Sequence, residues 1–157
     1  MRETMKEKVN FAILVRSTPE GVYDALTTEE GLDGWFTTGS TVVMSPEASA
    51  EPDGPAGRIH FRWKEWGPER YSGENGGPVL EAKRPERFSF QWKVDSGGYD
   101  TTVEIKLERV AEGTIVRLDE HGYENSPTGL KDLLARATGW GEALTLMKFY
   151  VEHGVRY

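Results

Sequence analysis

The chain has 157 residues, no cysteine, and 26 acidic against 19 basic residues, for a formal net charge of −7. That length predicts one domain burying about 70% of the surface its unfolded chain exposes. The lack of cysteine excludes disulfides, thiolate metal sites and Cys nucleophiles, and makes a reducing cytoplasm the expected compartment. Excess negative charge opposes the counterion release on which nucleic-acid binding depends, so neither nucleic acid nor an anionic membrane is an expected partner. No run approaches the roughly 20 apolar residues of a spanning helix, and the first ten residues, with charges of both signs, do not read as a signal peptide.

Val9, Phe11, Ile13 and Val15 alternate with Asn10, Ala12, Leu14 and Arg16, the period of two that a strand requires. Thr18-Pro19-Glu20 supplies an N-cap, a first-turn Pro and a first-turn acid for a short helix through Leu26. Thr28-Glu29-Glu30 repeats that signal for a second short helix, which Gly34 is expected to end before Trp35-Phe36. Six further strand-like runs follow: Thr41 to Met44, Ile59/Phe61/Trp63, Val79 to Ala82, Phe88/Phe90/Trp92/Val94, Val103/Ile105/Leu107 and Thr114/Val116/Leu118. Turn residues separate them, including Pro52-Asp53-Gly54-Pro55, Gly76-Gly77-Pro78, Ser96-Gly97-Gly98 and Glu112-Gly113. Short connections favour antiparallel pairing. Ser126-Pro127 then opens a helix of roughly 25 residues, with Leu130, Leu133, Leu134, Ala137, Trp140, Leu144, Met147 and Val151 at helical spacing and Gly154 at its stop. Residues 1–157 thus read as a single α+β domain, a curved antiparallel sheet of about seven strands wrapped around a long C-terminal helix.

Motifs for catalysis are weak. Asp95-Ser96-Gly97-Gly98 has the residues of a serine-protease nucleophile loop but lies between two alternating strands, where a hairpin turn belongs. His60, His121 and His153 include no i, i+4 pair for zinc. Asp119-Glu120-His121 with Glu124 is the densest polar group. On a continuing strand Asp119 and His121 share a face able to tune a general base or hold a weak metal ion, but the group reads first as the solvated end of a strand. Glu74-Asn75-Gly76-Gly77 lacks the Lys-Ser/Thr of a phosphate loop and reads as a turn. No catalytic residue, metal ligand or cofactor is expected.

The order of elements resembles the helix-grip fold of the START-like (SRPBCC) superfamily, which includes polyketide cyclases and lipid-transport proteins. Its branch similar to the C-terminal domain of the heat-shock ATPase activator is matched by Leu26-Thr27-Thr28-Glu29 with Trp35-Phe36, and by Arg84-Pro85-Glu86-Arg87-Phe88-Ser89-Phe90-Gln91-Trp92. Gly113-Thr114, Gly139-Trp140 and Lys148-Phe149-Tyr150-Val151-Glu152-His153-Gly154 complete the pattern in the family's order. The resemblance implies a cavity between sheet and long helix that holds an apolar or aromatic small molecule, and a setting in stress response. Ligand-binding candidates are Trp35, Phe36, Phe61, Trp63, Phe90, Trp92, Trp140, Leu144 and Met147 in the walls, with Glu120, His121 and Tyr123 as polar groups at the mouth. Trp66 and Tyr71 lie in the otherwise polar stretch Lys64 to Gly73, as a lid or a homodimer contact. Binding without catalysis is the expected activity; the alternatives are a cyclase- or hydrolase-like enzyme using the same cavity, and a chaperone-interaction module. The activator engages its chaperone with the help of a separate N-terminal domain, for which 157 residues leave no room, so chaperone contact is the weaker expectation.

Overall fold

The structure is a computed structural model that describes residues 2–44 and 55–157. Strand β1 (Val9–Val15) is followed by helices α1 (Pro19–Thr27) and α2 (Glu29–Trp35). Six strands then run in a meander: β2 (Gly39–Met44), β3 (Gly57–Trp66), β4 (Tyr71–Lys83), β5 (Arg87–Lys93), β6 (Asp100–Val110) and β7 (Gly113–His121). Helix α3 (Pro127–His153) ends the fold. The seven strands form one curved antiparallel sheet in the order β1-β7-β6-β5-β4-β3-β2, so the first strand closes beside the last. α3 crosses the concave face, reaching β7 through Arg136 and β1 through Lys148. Among the described residues no helix is long and apolar enough to cross a membrane.

Local signals explain the helices. Thr18, Thr28 and Ser126 each accept a hydrogen bond from the backbone N–H three residues on, closing the N-termini of α1, α2 and α3. Gly154, at φ 68°, ends α3 in the left-handed conformation. The strands bury alternate residues: Thr114, Val116, Leu118 and Glu120 of β7 point inward, while Arg117, Asp119 and His121 point outward.

Several expectations need correction. α2 runs through Gly34 to Trp35 instead of stopping at the glycine. Gly34 is there for space, since a Cβ would enter the Tyr150 ring. Gly76-Gly77-Pro78 is not a turn but the middle of β4, paired with His60, Ile59 and Arg58. Cβ atoms at Gly76 and Gly77 would collide with the Ile59 and Gln91 carbonyl oxygens, so the glycines admit close neighbouring backbone. The stretch expected as a loop between Lys64 and Gly73 is the overhang of the β3–β4 hairpin, in which Trp66 pairs with Tyr71. Of the apolar α3 positions, Leu130 and Leu134 are 46% and 59% exposed and Ala137 is exposed, whereas Asp132 and Arg136 are buried. The turn read at Pro52-Asp53-Gly54 lies outside the described residues.

The two kinds of glycine make opposite predictions. Gly77→Ala should destabilise by about 1–3 kcal/mol through overpacking against backbone. Gly141→Ala, whose Cβ meets nothing within 4 Å inside α3, should stabilise by up to about 1 kcal/mol. Urea-denaturation midpoints measure both, and a shared sign would contradict the assignment.

Candidate functional site

Between the concave face and α3 lies a cavity of about 270 Å³. Its aromatic wall comprises Phe36 after α2, Trp63 and Trp66 on β3, Tyr71 on β4, Trp92 on β5 and Trp140 on α3. Asn75, Asp95, Arg136 and Gly139 also line it, with Glu69 and Glu142 among the lining residues on the hairpin and helix.

Phe36 is the hub of the wall. Its ring stacks between Trp35 and Trp140 at 4.9 and 5.7 Å, each pair tilted by 21°. Trp63 and Trp66 meet it edge to face at 5.3 and 6.4 Å. Trp63 Nε1 also donates to the Phe36 carbonyl at 2.6 Å. Each such ring pair contributes about 0.5–1.5 kcal/mol beyond burial, so the wall is held rigidly.

Beneath the wall, Glu120 is completely buried and accepts four hydrogen bonds. Oε2 takes Trp92 Nε1 at 2.7 Å, Thr101 Oγ1 at 2.6 Å and Arg136 NH1 at 2.6 Å. Oε1 takes Trp140 Nε1 at 2.9 Å. Arg136 NH2 donates in turn to the Lys93 carbonyl and to Asp95, and the guanidinium lies 4.3 Å from the centre of the Trp92 ring. One carboxylate therefore orients three cavity-lining side chains drawn from two elements. Three of the four bonds fall on Oε2 and one on Oε1, so the oxygen that faces Arg136 is fully engaged while Oε1 keeps a lone-pair site.

Tyr123 is also fully buried, and its hydroxyl has no hydrogen-bond partner among the described residues. Burial first, and the Glu120 charge second, hold its pKa far above the ordinary tyrosine value, so the phenol stays neutral. At the mouth, burial and the nearby Asp95 charge likewise raise the Tyr71 pKa.

Asn75 shapes the opening. Regular β4–β5 pairing shifts register between Val79 and Glu81. Farther along, the Asn75 amide takes over, donating to the Lys93 carbonyl at 2.9 Å and accepting from the Lys93 N–H at 3.0 Å. A side chain standing in for a peptide unit keeps both backbone groups of Lys93 bonded where regular β4–β5 pairing has ended.

Of the residues expected to contact a ligand, Phe36, Trp63, Trp92 and Trp140 line the cavity. Trp35, Phe61, Phe90, Leu144 and Met147 belong to the packed core around it. Glu120 and Tyr123 sit below the wall rather than at the mouth. His121 does not join them: it is on the outer face of the sheet, with Nε2 3.8 Å from Glu104. Ser96 ends a turn and donates to Asp132 at 2.5 Å, tying the β5–β6 connection to α3. Asn75 and Arg136 were missed. Arg136 carried a signal, because it lies one turn before Trp140 and three residues after Leu133 on the same helix stripe.

Residues 16–152 match the family described as Activator of Hsp90 ATPase homolog 1-like protein. The chain belongs to that family. No curated protein matches it significantly. Among solved structures it is similar to protein SSP2350 of Staphylococcus saprophyticus, at 22% identity and a TM-score of 0.69 over 96% of each chain. The Aha1 dimer of Colwellia psychrerythraea matches at 23% identity and TM-score 0.66, over 94% of this chain and 98% of that one. DynU16, from the dynemicin biosynthetic locus, matches at 18% identity and TM-score 0.75 over 98% of this chain, which spans 51% of DynU16. At these identities the likeness establishes a shared helix-grip fold.

Glu120→Gln should cost about 3–5 kcal/mol, because it removes the fully buried carboxylate of the pair and leaves the Arg136 guanidinium only the more exposed Asp95 as a charge partner. Adding Arg136→Met should recover much of that loss, and a double-mutant cycle from chemical denaturation reads the coupling. Additive losses would remove the pair from its central place.

Proposed function

We propose that this chain is a binding domain that takes one small apolar or aromatic molecule into the cavity between the sheet and α3, without catalysing its conversion. The observation that carries this reading is the wall of six aromatic side chains around about 270 Å³ of space, braced from below by Glu120. Apolar pockets with a few fixed polar groups are the usual form of small-molecule sites. Binding is favoured over catalysis because the buried carboxylate is committed to the Arg136 ion pair and to both indoles beneath the wall, and the buried phenol stays protonated.

Gly139 supplies the test. It lines the cavity, and a Cβ there meets nothing within 4 Å, so Gly139→Leu should fill the space while improving helix propensity. A neutral aromatic probe, 2-naphthol, at 100 times its dissociation constant should stabilise the wild type by about 2.7 kcal/mol. The same concentration should leave the melting temperature of Gly139→Leu unchanged. Equal shifts in both proteins would place the probe elsewhere, and no shift in either, across a panel of neutral aromatics, would remove this reading.

We also propose that the chain forms a homodimer. The Colwellia protein with the same fold is a dimer, and α3 here exposes Leu130 and Leu134 one turn apart. Sedimentation equilibrium should give twice the chain mass, shifting toward one chain in Leu134→Glu; a monomeric wild type at micromolar concentration would exclude it.

A further inference from the structure

The cavity has an electrostatic character that an apolar wall alone does not require. Glu69, Asp95 and Glu142 are among its lining residues, and Arg136 is the one cationic side chain there among the described residues. Arg136 is already engaged by two carboxylates, Glu120 and Asp95, and by the Lys93 carbonyl. Glu69 and Glu142 are exposed lining residues and make no ion pair among the described residues, so no cation of the chain neutralises their charge. Aromatic faces carry the negative part of the ring quadrupole, and Trp63, Trp66, Tyr71 and Trp92 surround the space. Trp92 already holds one cation against its ring, the Arg136 guanidinium at 4.3 Å. A net charge of −7 on the whole chain adds a field of the same sign.

From this combination we propose that the cavity selects a small organic cation, a quaternary or tertiary ammonium carried on an aromatic or aliphatic body. The proposal rests on the binding reading above and narrows its ligand class. Ammonium over aromatic faces is stabilised by cation–π attraction, and carboxylates at the rim supply longer-range attraction that salt screens. An anionic ligand would find Arg136 committed and three carboxylates in its path.

The test compares probes of one shape and different charge. Phenyltrimethylammonium and tert-butylbenzene are isosteric, and benzenesulfonate is of similar size with a negative charge. Titrated by tryptophan fluorescence at low ionic strength, the cation should bind at least about tenfold more tightly than its neutral isostere. Benzenesulfonate should bind most weakly. In a Glu69→Gln/Glu142→Gln variant with an unchanged melting temperature, the cation's preference should shrink by about threefold or more, while tert-butylbenzene binds as before. Gly139→Leu should abolish binding of both.

Equal or tighter binding of tert-butylbenzene that Gly139→Leu abolishes overturns the cation proposal and leaves the apolar binding reading standing. Tightest binding of benzenesulfonate overturns it with the opposite sign. An unchanged preference in the double variant, or cation binding that survives Gly139→Leu, places the selectivity outside this mouth and overturns it equally. Binding of none of the three removes both readings.

Discussion

The buried ion pair between Glu120 and Arg136 is the constraint on which the cavity depends. Desolvating both charges is costly, and the attraction between them compensates only if the remaining hydrogen-bonding groups are also satisfied. Here the compensation comes from the cavity's own walls. Trp92 and Trp140 turn their indole N–H groups toward the carboxylate and are thereby fixed with their rings beside the cavity. Arg136 lies against the Trp92 ring and fastens the β5–β6 connection through Lys93 and Asp95. Sheet and helix are thus joined by a directional network at the point where packed apolar side chains would have filled the space.

That arrangement explains how a cavity persists in a domain of this size. An unfilled volume forfeits dispersion contacts and invites collapse. Collapse here would require the indoles to rotate away from Glu120, leaving a buried carboxylate with unmet hydrogen bonds. On the opposite wall the Phe36 ring is clamped between Trp35 and Trp140, while Trp63 is tethered to the Phe36 backbone. The Asn75 amide ties β4 to β5 by bonding both backbone groups of Lys93. Movement of the Glu120 side of the cavity would break buried polar contacts in a place that water cannot readily repair.

The fold was legible because its signals are local. Period-two runs, Thr-Pro and Ser-Pro caps and short connections define the meander and the long helix without any tertiary information. The site was legible by residue class rather than by geometry. Trp63, Trp92 and Trp140 stood out as large aromatics on inward positions, but Phe61 and Phe90 have the same periodicity and pack solidly instead. Which aromatic borders empty space depends on the path of β4 beside β5, where regular pairing ends near Val79, Gly77 admits the Gln91 backbone and Asn75 bonds Lys93. Gly76-Gly77 was mistaken for a turn because close backbone approach and turn formation select the same residue. Glu120 reads in the sequence as the solvated end of a strand but is fully buried; the alternation Thr114, Val116, Leu118 continues inward to it, and a carboxylate on a buried face demands donors.

The location of those donors has a consequence for how the site can vary. Every donor to Glu120 comes from the sheet or from α3, and none from the β3–β4 hairpin that carries Trp66, Glu69 and Tyr71. The lower cavity is therefore coupled to the stability of the domain, so changes at Glu120, Arg136 or Trp92 disturb the fold and the shape of the cavity together. The hairpin tip is not held in this way. Its side chains are partly or largely exposed, and its turn is bounded by Glu65 and Arg70 with positive φ. Substitution there can alter the size and charge of the mouth with little effect on the core. A fold built so separates a mechanical requirement, the braced floor, from a rim whose size and charge can change without disturbing it.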